Sequence, residues 1–306
     1  MLALVTGGAG FIGSNLADQL LADGHEVRVL DNLSTGFAEN VPAGATFLEG
    51  DITDQPLVEK AVDGVEVVFH QAARGSVARS LDTPLVTDHV NVNGTLTVLD
   101  AARRAGVRRF VSASSSSVYG GVAPRPTPES AALTPKSPYA VTKMAGEHYL
   151  RVFGELYPME TVSLRYFNVY GPRQRPDSAY AAVIPRFIAA LRAGQRPEVH
   201  GDGRQSRDFA FVDDVVAANI LAGEAPAAAC SGRAYNIAGG AEQSLLDLLE
   251  ILGDVLGVSV RPNHVDPRPG DVRHSFADLT AAATDLGYHP TTTFAEGLRR
   301  TVAWFT

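Results

Sequence analysis

Residues 5–14 read VTGGAGFIGS, an apolar run that opens into three spaced glycines, Gly7, Gly10 and Gly13, before a helix-forming stretch. Glycine at such positions permits a tight turn and lets backbone approach a bulky anion, while the start of the helix offers N–H donors and the positive end of its dipole. A glycine pattern alone is a weak signal, but here LALV at residues 2–5 precedes it and a patterned stretch over residues 11–22 follows. The segment therefore predicts a strand, a turn and a helix that cradle a diphosphate. Asp31 closes the next β-rich run, residues 26–30. A carboxylate there accepts from both hydroxyls of a ribose and repels a 2′-phosphate, which argues for NAD over NADP. Asp51 and Ile52, after a third run, read either as a border for the adenine or as an ordinary helix cap.

Strand-like runs at residues 2–5, 26–30, 46–48, 66–69, 109–111 and 161–164 alternate with longer patterned stretches such as 11–22 and 91–105. That alternation predicts an α/β fold with a doubly wound parallel sheet, and continuous apolar strands suit a sheet covered on both faces. After about residue 165, the turn-rich segments YGPRQRPDS, GQRPEVHGDGRQSRD and VDPRPGD separate helical pieces at 181–193, 213–222 and 245–256. The expected organisation is a dinucleotide-binding unit over residues 1–165 carrying the catalytic groups, and a smaller substrate-binding α/β lobe over residues 166–306. Some elements of the second part are expected to return to the first.

With 306 residues and 45% hydrophobic content, the chain can bury a large core. A formal charge of -8 and only three lysines leave no basic footprint for a nucleic-acid partner. No apolar run reaches membrane-spanning length, and the apolar start runs at once into glycines, as a strand does and a signal peptide does not. The single cysteine, Cys230, cannot form an internal disulfide, which fits the cytoplasm. The eight histidines show no ligand spacing, so no metal site is expected.

Two further stretches carry chemistry. VSASSSSVYGG, residues 111–121, runs from a β-rich segment into Ser114, Ser115, Ser116 and Ser117, which puts a row of hydroxyls at the carboxyl edge of the sheet, where open α/β sheets bind ligands. SPYAVTKMAGEHYL, residues 137–150, starts with a helix signal and carries Tyr139 and Lys143 at i and i+4, on one helical face. A lysine ammonium beside a phenol, helped by a nicotinamide cation, lowers the phenol pKa toward use as a general base.

Together, TGGAGFIG, HQAA (residues 70–73), NVNGT (91–95), SSSSVYG (114–120), YAVTK (139–143), RYFNVYGP (165–172), RDF (207–209) and RPGDVRHSFAD (268–278) resemble the extended short-chain dehydrogenase/reductases, in the UDP-sugar 4-epimerase branch. The resemblance implies a Rossmann-type sheet, bound NAD, a homodimer packed through helices at residues 91–105 and 138–153, and Ser115, Tyr139 and Lys143 as the catalytic set. Phe11, Ile12, Asn32, Ala72, Ala73, Asn91 and Tyr166 would complete the cofactor site. Arg207 and Arg268 would grip the substrate diphosphate, with Asn168 donating to it and Asp271 near the uridine ribose.

Related 4,6-dehydratases carry an acidic pair just before the VYG element, where this chain has Ser116 and Ser117, hydroxyls that move no protons at neutral pH. Inversion at C4 through a 4-keto sugar needs no further base and is the expected reaction. The preferred substrate by resemblance of YGPRQRPD (170–177) is UDP-glucuronate, with Ser116, Ser117, Arg79 and Arg175 near its carboxylate. Ser275 stands where neutral-hexose enzymes tend to carry a bulky tyrosine, which keeps UDP-N-acetylglucosamine open, and UDP-glucose also stays open. Two other readings remain: a reductase of a 4-keto nucleotide sugar, against which Asp31 argues, and a dinucleotide-sensing protein, which would not need Ser115, Tyr139 and Lys143.

Overall fold

The computed structural model describes residues 1–176, 182–267 and 272–305. Arg268 and Asp271 lie outside the described residues. The strands β1 (Leu2–Thr6), β2 (Glu26–Asp31), β3 (Thr46–Glu49), β4 (Val67–His70), β5 (Arg109–Ser115) and β6 (Glu160–Tyr166) alternate with helices, as the βαβ pattern predicts. They are followed by β7 (Asn168–Tyr170), β8 (Glu198–His200), β9 (Ser206–Phe211), β10 (Arg233–Ile237), β11 (Glu242–Ser244) and β12 (Asn263–Val265). The helices are α1 (Phe11–Ala22), α2 (Gln55–Val62), α3 (Val77–Asp82), α4 (Pro84–Asp88), α5 (Thr95–Arg104), α6 (Pro138–Leu156), α7 (Val183–Arg192), α8 (Val212–Glu224), α9 (Ala227–Cys230), α10 (Leu245–Leu256), α11 (Thr280–Leu286) and α12 (Phe294–Trp304).

Seven strands form the main sheet in the order β10-β6-β5-β4-β1-β2-β3, and every pairing is parallel. Side chains alternate across it with the strand period of two: Ala3 and Val5 enter a core with α1, α8 and α11, whereas Leu4 enters a core with α2, α5 and α6. β10 returns from the far part of the chain to pair with β6, from Arg233 beside Val162 to Ile237 beside Tyr166. β7, β9 and β11 form a smaller sheet, and β8 pairs with β12. Tyr170, Phe187, Phe209 and Leu248 build a separate core beneath these smaller sheets.

The strand order reverses between β1, which leads on to β2, and β4, which leads on to β5. A crevice forms at such a switch because the two connecting segments leave in opposite directions. Among the described residues no helix is long and apolar enough to cross a membrane.

His70, the last residue of β4, is buried between two threonines, with Nδ1 2.8 Å from Thr6 Oγ1 and Nε2 2.9 Å from Thr95 Oγ1. Burial, helped by the nearby charge of Lys143, pushes its pKa down to about 3. Below pH 6.5 the unfolded chain takes up a proton there that the folded chain refuses, so stability rises with pH through this window and is lost as pH falls. Urea unfolding is expected to show about 2 kcal/mol of His70-dependent loss between pH 7 and pH 5. The loss should disappear in His70→Gln; parallel pH slopes in the two proteins would show that His70 does not carry it.

Candidate active site

The glycine turn sits at the end of β1. Gly7 has φ +72°, and a Cβ on it would lie 2.7 Å from the backbone N of Ala72; a Cβ on Gly13 would lie 2.2 Å from the carbonyl of Gly7. Gly10 caps α1 without a side-chain hydrogen bond, so the first N–H groups of the helix face the crevice. These three residues, with Phe11 and Ile12, line a groove of about 720 Å³. Asp31, at the end of the adjacent strand β2, stands against the turn and accepts from Ala9 N at 3.0 Å and Leu33 N at 2.8 Å, bonds that oppose the upward push of burial on its carboxyl. Asn32 donates to Asp51 at 2.7 Å. Burial works against the Asp51 carboxylate, but bonds from Thr53 and Asn32 outweigh it and hold the pKa low.

Ile52, Ala72, Ala73, Tyr139, Lys143 and Tyr166 complete the groove wall. A tight cradle without room for a side chain, open helix N–H groups and a carboxylate at the end of β2 fit a dinucleotide. Asn91 does not line the groove. It is buried, accepts from Arg74 N at 2.7 Å and donates to Thr142 Oγ1 at 3.0 Å, so its amide joins the wall segment to α6 from behind.

α6 begins where Ser137 accepts from Ala140 N at 3.1 Å and Pro138 occupies the first turn. Its Tyr139 comes close to Ser115 at the end of β5, whose hydroxyl favours the phenolate, and Lys143 Nζ donates to Ala113 O at 2.7 Å. Burial lowers the Lys143 pKa to about 8, with Glu147 pulling the other way. Tyr139 departs from expectation: burial raises its pKa, and the Ser115 hydroxyl only partly opposes this. Lys143 Nζ stands 5.9 Å from the ring centroid, so the chain by itself holds Tyr139 as the neutral phenol.

Ser115, Ser116 and Ser117 line a second cavity of about 430 Å³ together with Tyr119, Lys136, Asn168, Arg207, His274 and Ser275. Tyr139 and Tyr166 border this cavity and the groove alike. Among the described residues Ser117 Oγ is buried without a hydrogen-bond partner. A third cavity, about 440 Å³, adjoins the second through Val77, Asn168 and Arg207 and is walled by Tyr170, Phe187, Phe209, His200 and Gln205. The strand-like strap at residues 272–278 that carries Ser275 is pinned by Asp208, which accepts from Gly239 N at 2.8 Å, Gly240 N at 3.0 Å and Ala277 N at 3.2 Å. Burial raises the Asp208 pKa to about 6.

Arg79 and Arg175, expected beside Ser116 and Ser117, line the dinucleotide groove instead. Arg175 lies over the Phe37 ring at 4.5 Å and donates to Thr35 O at 3.3 Å, because the loop after β7 crosses toward the end of β2. Sequence reasoning passed over Lys136, His274, His200 and Gln205, since nothing in their spacing marks them; tertiary folding alone brings them to the cavities. Among the described residues no cluster of His, Cys, Asp and Glu could hold a metal ion.

The sequence profile of the NAD dependent epimerase/dehydratase family matches residues 3–238. A UDP-glucose 4-epimerase of Mycolicibacterium smegmatis is 44% identical, over 100% of this chain and 98% of its own length. A UDP-glucuronate 4-epimerase of Thermodesulfobacterium geofontis is 33% identical, over 98% of this chain and 95% of its own. Among solved structures, the Thermotoga maritima UDP-glucose 4-epimerase with UDP-glucose superposes with a TM-score of 0.95 at 39% identity, covering 100% of this chain and 98% of the other. The Methanobrevibacter ruminantium UDP-N-acetylglucosamine 4-epimerase in complex with UDP-N-acetylmuramic acid gives 0.94 at 40% identity, covering 99% and 97%.

The cradle can be tested directly. Gly7→Ala forces a left-handed backbone and a clash with Ala72, so it is expected to cost on the order of 1–3 kcal/mol of stability and to weaken NAD binding at least tenfold by titration calorimetry. Unchanged NAD affinity in a folded Gly7→Ala protein would remove the turn from the binding site.

Proposed function

The chain belongs to the NAD dependent epimerase/dehydratase family, and from that membership we propose that it is a UDP-sugar 4-epimerase, inverting C4 through a transient 4-keto sugar. The observation that carries this reading is that Tyr139 borders both the dinucleotide groove and the serine-walled cavity, with the Ser115 hydroxyl close by and Lys143, held on Ala113 O, 5.9 Å from its ring. A group so placed can exchange a proton with a sugar hydroxyl held against the nicotinamide end of the groove.

NAD, when bound, supplies the hydride acceptor for C4 and, while oxidised, a positive charge beside Tyr139. Ser115 orients the sugar O4 by a hydrogen bond, and Tyr139 Oη takes the O4 proton and later returns it. Lys143, charged below about pH 8, supports the phenolate from the Ala113 side. Arg207 and Asn168 stand at the neck between the second and third cavities, which suits a grip on the diphosphate, with the nucleoside in the third cavity and the sugar ring turning loosely in the second. Arg268 and Asp271 are proposed only from their motif. Ser116 and Ser117 supply no acid or base for elimination, which favours epimerisation over dehydration.

For the sugar, we favour UDP-glucose and UDP-N-acetylglucosamine over the glucuronate expected from sequence. The reason is that Arg79 and Arg175 lie on the groove and leave the serine wall without its two expected cations, while Ser275 leaves room at C2. UDP-glucuronate keeps one observation in its favour, the unpaired Ser117 hydroxyl on the same cavity as Lys136. Cys230, a buried free thiol, accords with a cytoplasmic setting. A second copy of the chain is the proposed partner. Leu81, Leu85, Val86, Val141, Val152 and Leu156 are exposed apolar residues on α3, α4 and α6, helices that pack together, and Leu85 is 83% exposed.

Two measurements check these readings. Incubation with each of the three UDP-sugars, followed by NMR of the anomeric protons, is expected to give the C4 epimer with UDP-glucose or UDP-N-acetylglucosamine; Tyr139→Phe should lose at least about a thousandfold in kcat with the fold intact. Turnover by Tyr139→Phe near the normal rate would overturn the assignment. Light scattering should give a dimer mass that Leu85→Glu with Leu156→Glu converts to a monomer, and a monomeric parent protein would dismiss the dimer.

A further inference from the structure

One turn beyond Lys143, on the same face of α6, Glu147 carries a buried carboxylate that the chemistry proposed above does not use. Ser114 Oγ donates to its Oε1 at 2.5 Å, and Arg165 donates from Nε to Oε1 at 2.9 Å and from Nη2 to Oε2 at 2.7 Å. The side chains of Arg165 and Glu147 are only 6% and 7% exposed. A two-pronged ion pair this far from water is rigid, because sliding either partner would leave a buried charge uncompensated.

Neighbouring residues of β5 thus engage α6: Ala113 holds Lys143 and Ser114 holds Glu147, while the Ser115 hydroxyl next to them favours the phenolate of Tyr139. Beyond Arg165 the chain of bonds continues. Its Nη1 donates to Tyr119 OH at 2.7 Å and to Glu129 O at 3.0 Å, and Tyr119 OH donates to Asn236 Oδ1 at 2.7 Å. Asn236 Nδ2 donates to Thr127 O at 2.9 Å, and Thr127 N donates to Phe276 O at 2.8 Å in the strap that carries Ser275.

We propose that Glu147 is a positioning residue: tied to Ser114 and Arg165, it sets the seat of α6 on β5 that brings Tyr139 and Lys143 to Ser115, and through Arg165 it links that seat to the sugar-pocket strap. The inference rests on the 4-epimerase reading. The charged and titratable groups that act with Lys143 are Tyr139 and Glu147 on α6 and His70 at the end of β4, with Arg165 of β6 paired to Glu147 behind them. Among them Glu147 supplies the negative charge that favours the ammonium against burial.

The test is Glu147→Gln, which keeps the shape and removes the charge. Its kcat is expected to fall on the order of ten- to a hundredfold with KM for the UDP-sugar little changed, and the alkaline limb of the pH profile should move down by on the order of one unit. The sign follows from Lys143, which loses its proton earlier once the carboxylate is gone. A residue that only stabilises the fold would lower the melting temperature and leave the limb where it is. Ser114→Ala, which removes one bond and keeps the ion pair, should move the limb in the same direction by less, and it serves if Glu147→Gln does not fold. Lys143 can also be titrated by NMR with isotope-labelled lysine, since the chain has only three lysines. That titration should fall in the variant whether or not any sugar is turned over. Superimposed titrations, or an unmoved limb with unchanged kcat, would overturn the inference, whereas failure of the parent protein to epimerise any UDP-sugar would overturn only the reading of function.

Discussion

The close approach of β1 to the chain leaving β4 governs the rest of this molecule. At that point the strand order reverses, and the backbone of Gly7 passes so near Ala72 that no side chain fits between them. The turn has no room for side chains, α1 starts at the groove, and Asp31 on the neighbouring strand is bonded directly to Ala9 of the turn. A phosphate-bearing ligand finds donors and an acceptor already held in place, so little ordering remains to be done on binding.

A second constraint acts on the other side of the crevice. α6 is seated on β5 by Lys143, in a partly buried contact, and by the Glu147 carboxylate, which is buried. In a low-dielectric setting such groups are costly to leave unpaired and hard to shift once paired. The same burial keeps Tyr139 neutral and brings Lys143 close to losing its charge. In the reaction proposed for this centre, the charge that would favour the Tyr139 phenolate enters with the ligand, which would couple proton exchange to an occupied groove.

Much of this was legible in the chain. VTGGAGFIGS with Asp31 announced β1, α1 and the end of β2, and the alternation of apolar and patterned runs announced the parallel sheet, because period and turn chemistry are local properties. Tyr139 and Lys143 were legible as one face of a helix for the same reason. The arginines were not. Arg175 follows a short strand whose path was invisible, and an arginine side chain reaches far enough to serve either cavity, so its loop's course decided that it covers Phe37. Asn91, taken for a cofactor ligand from its motif, turns inward, since a buried amide must satisfy its bonds where donors and acceptors happen to be.

Local spacing along the chain set the element types, the glycine cradle and the placing of Tyr139 and Lys143 on one helical face, since these follow from the period of a helix or strand. Tertiary structure alone decided that β10 closes the sheet beside β6, that Glu147 finds Arg165 and Ser114, and that the strap with Ser275 hangs on Asp208 and Thr127. Those pairings join residues tens of positions apart, and contacts of that kind are selected by packing and by the need to satisfy buried polar groups, neither of which leaves a period in the chain.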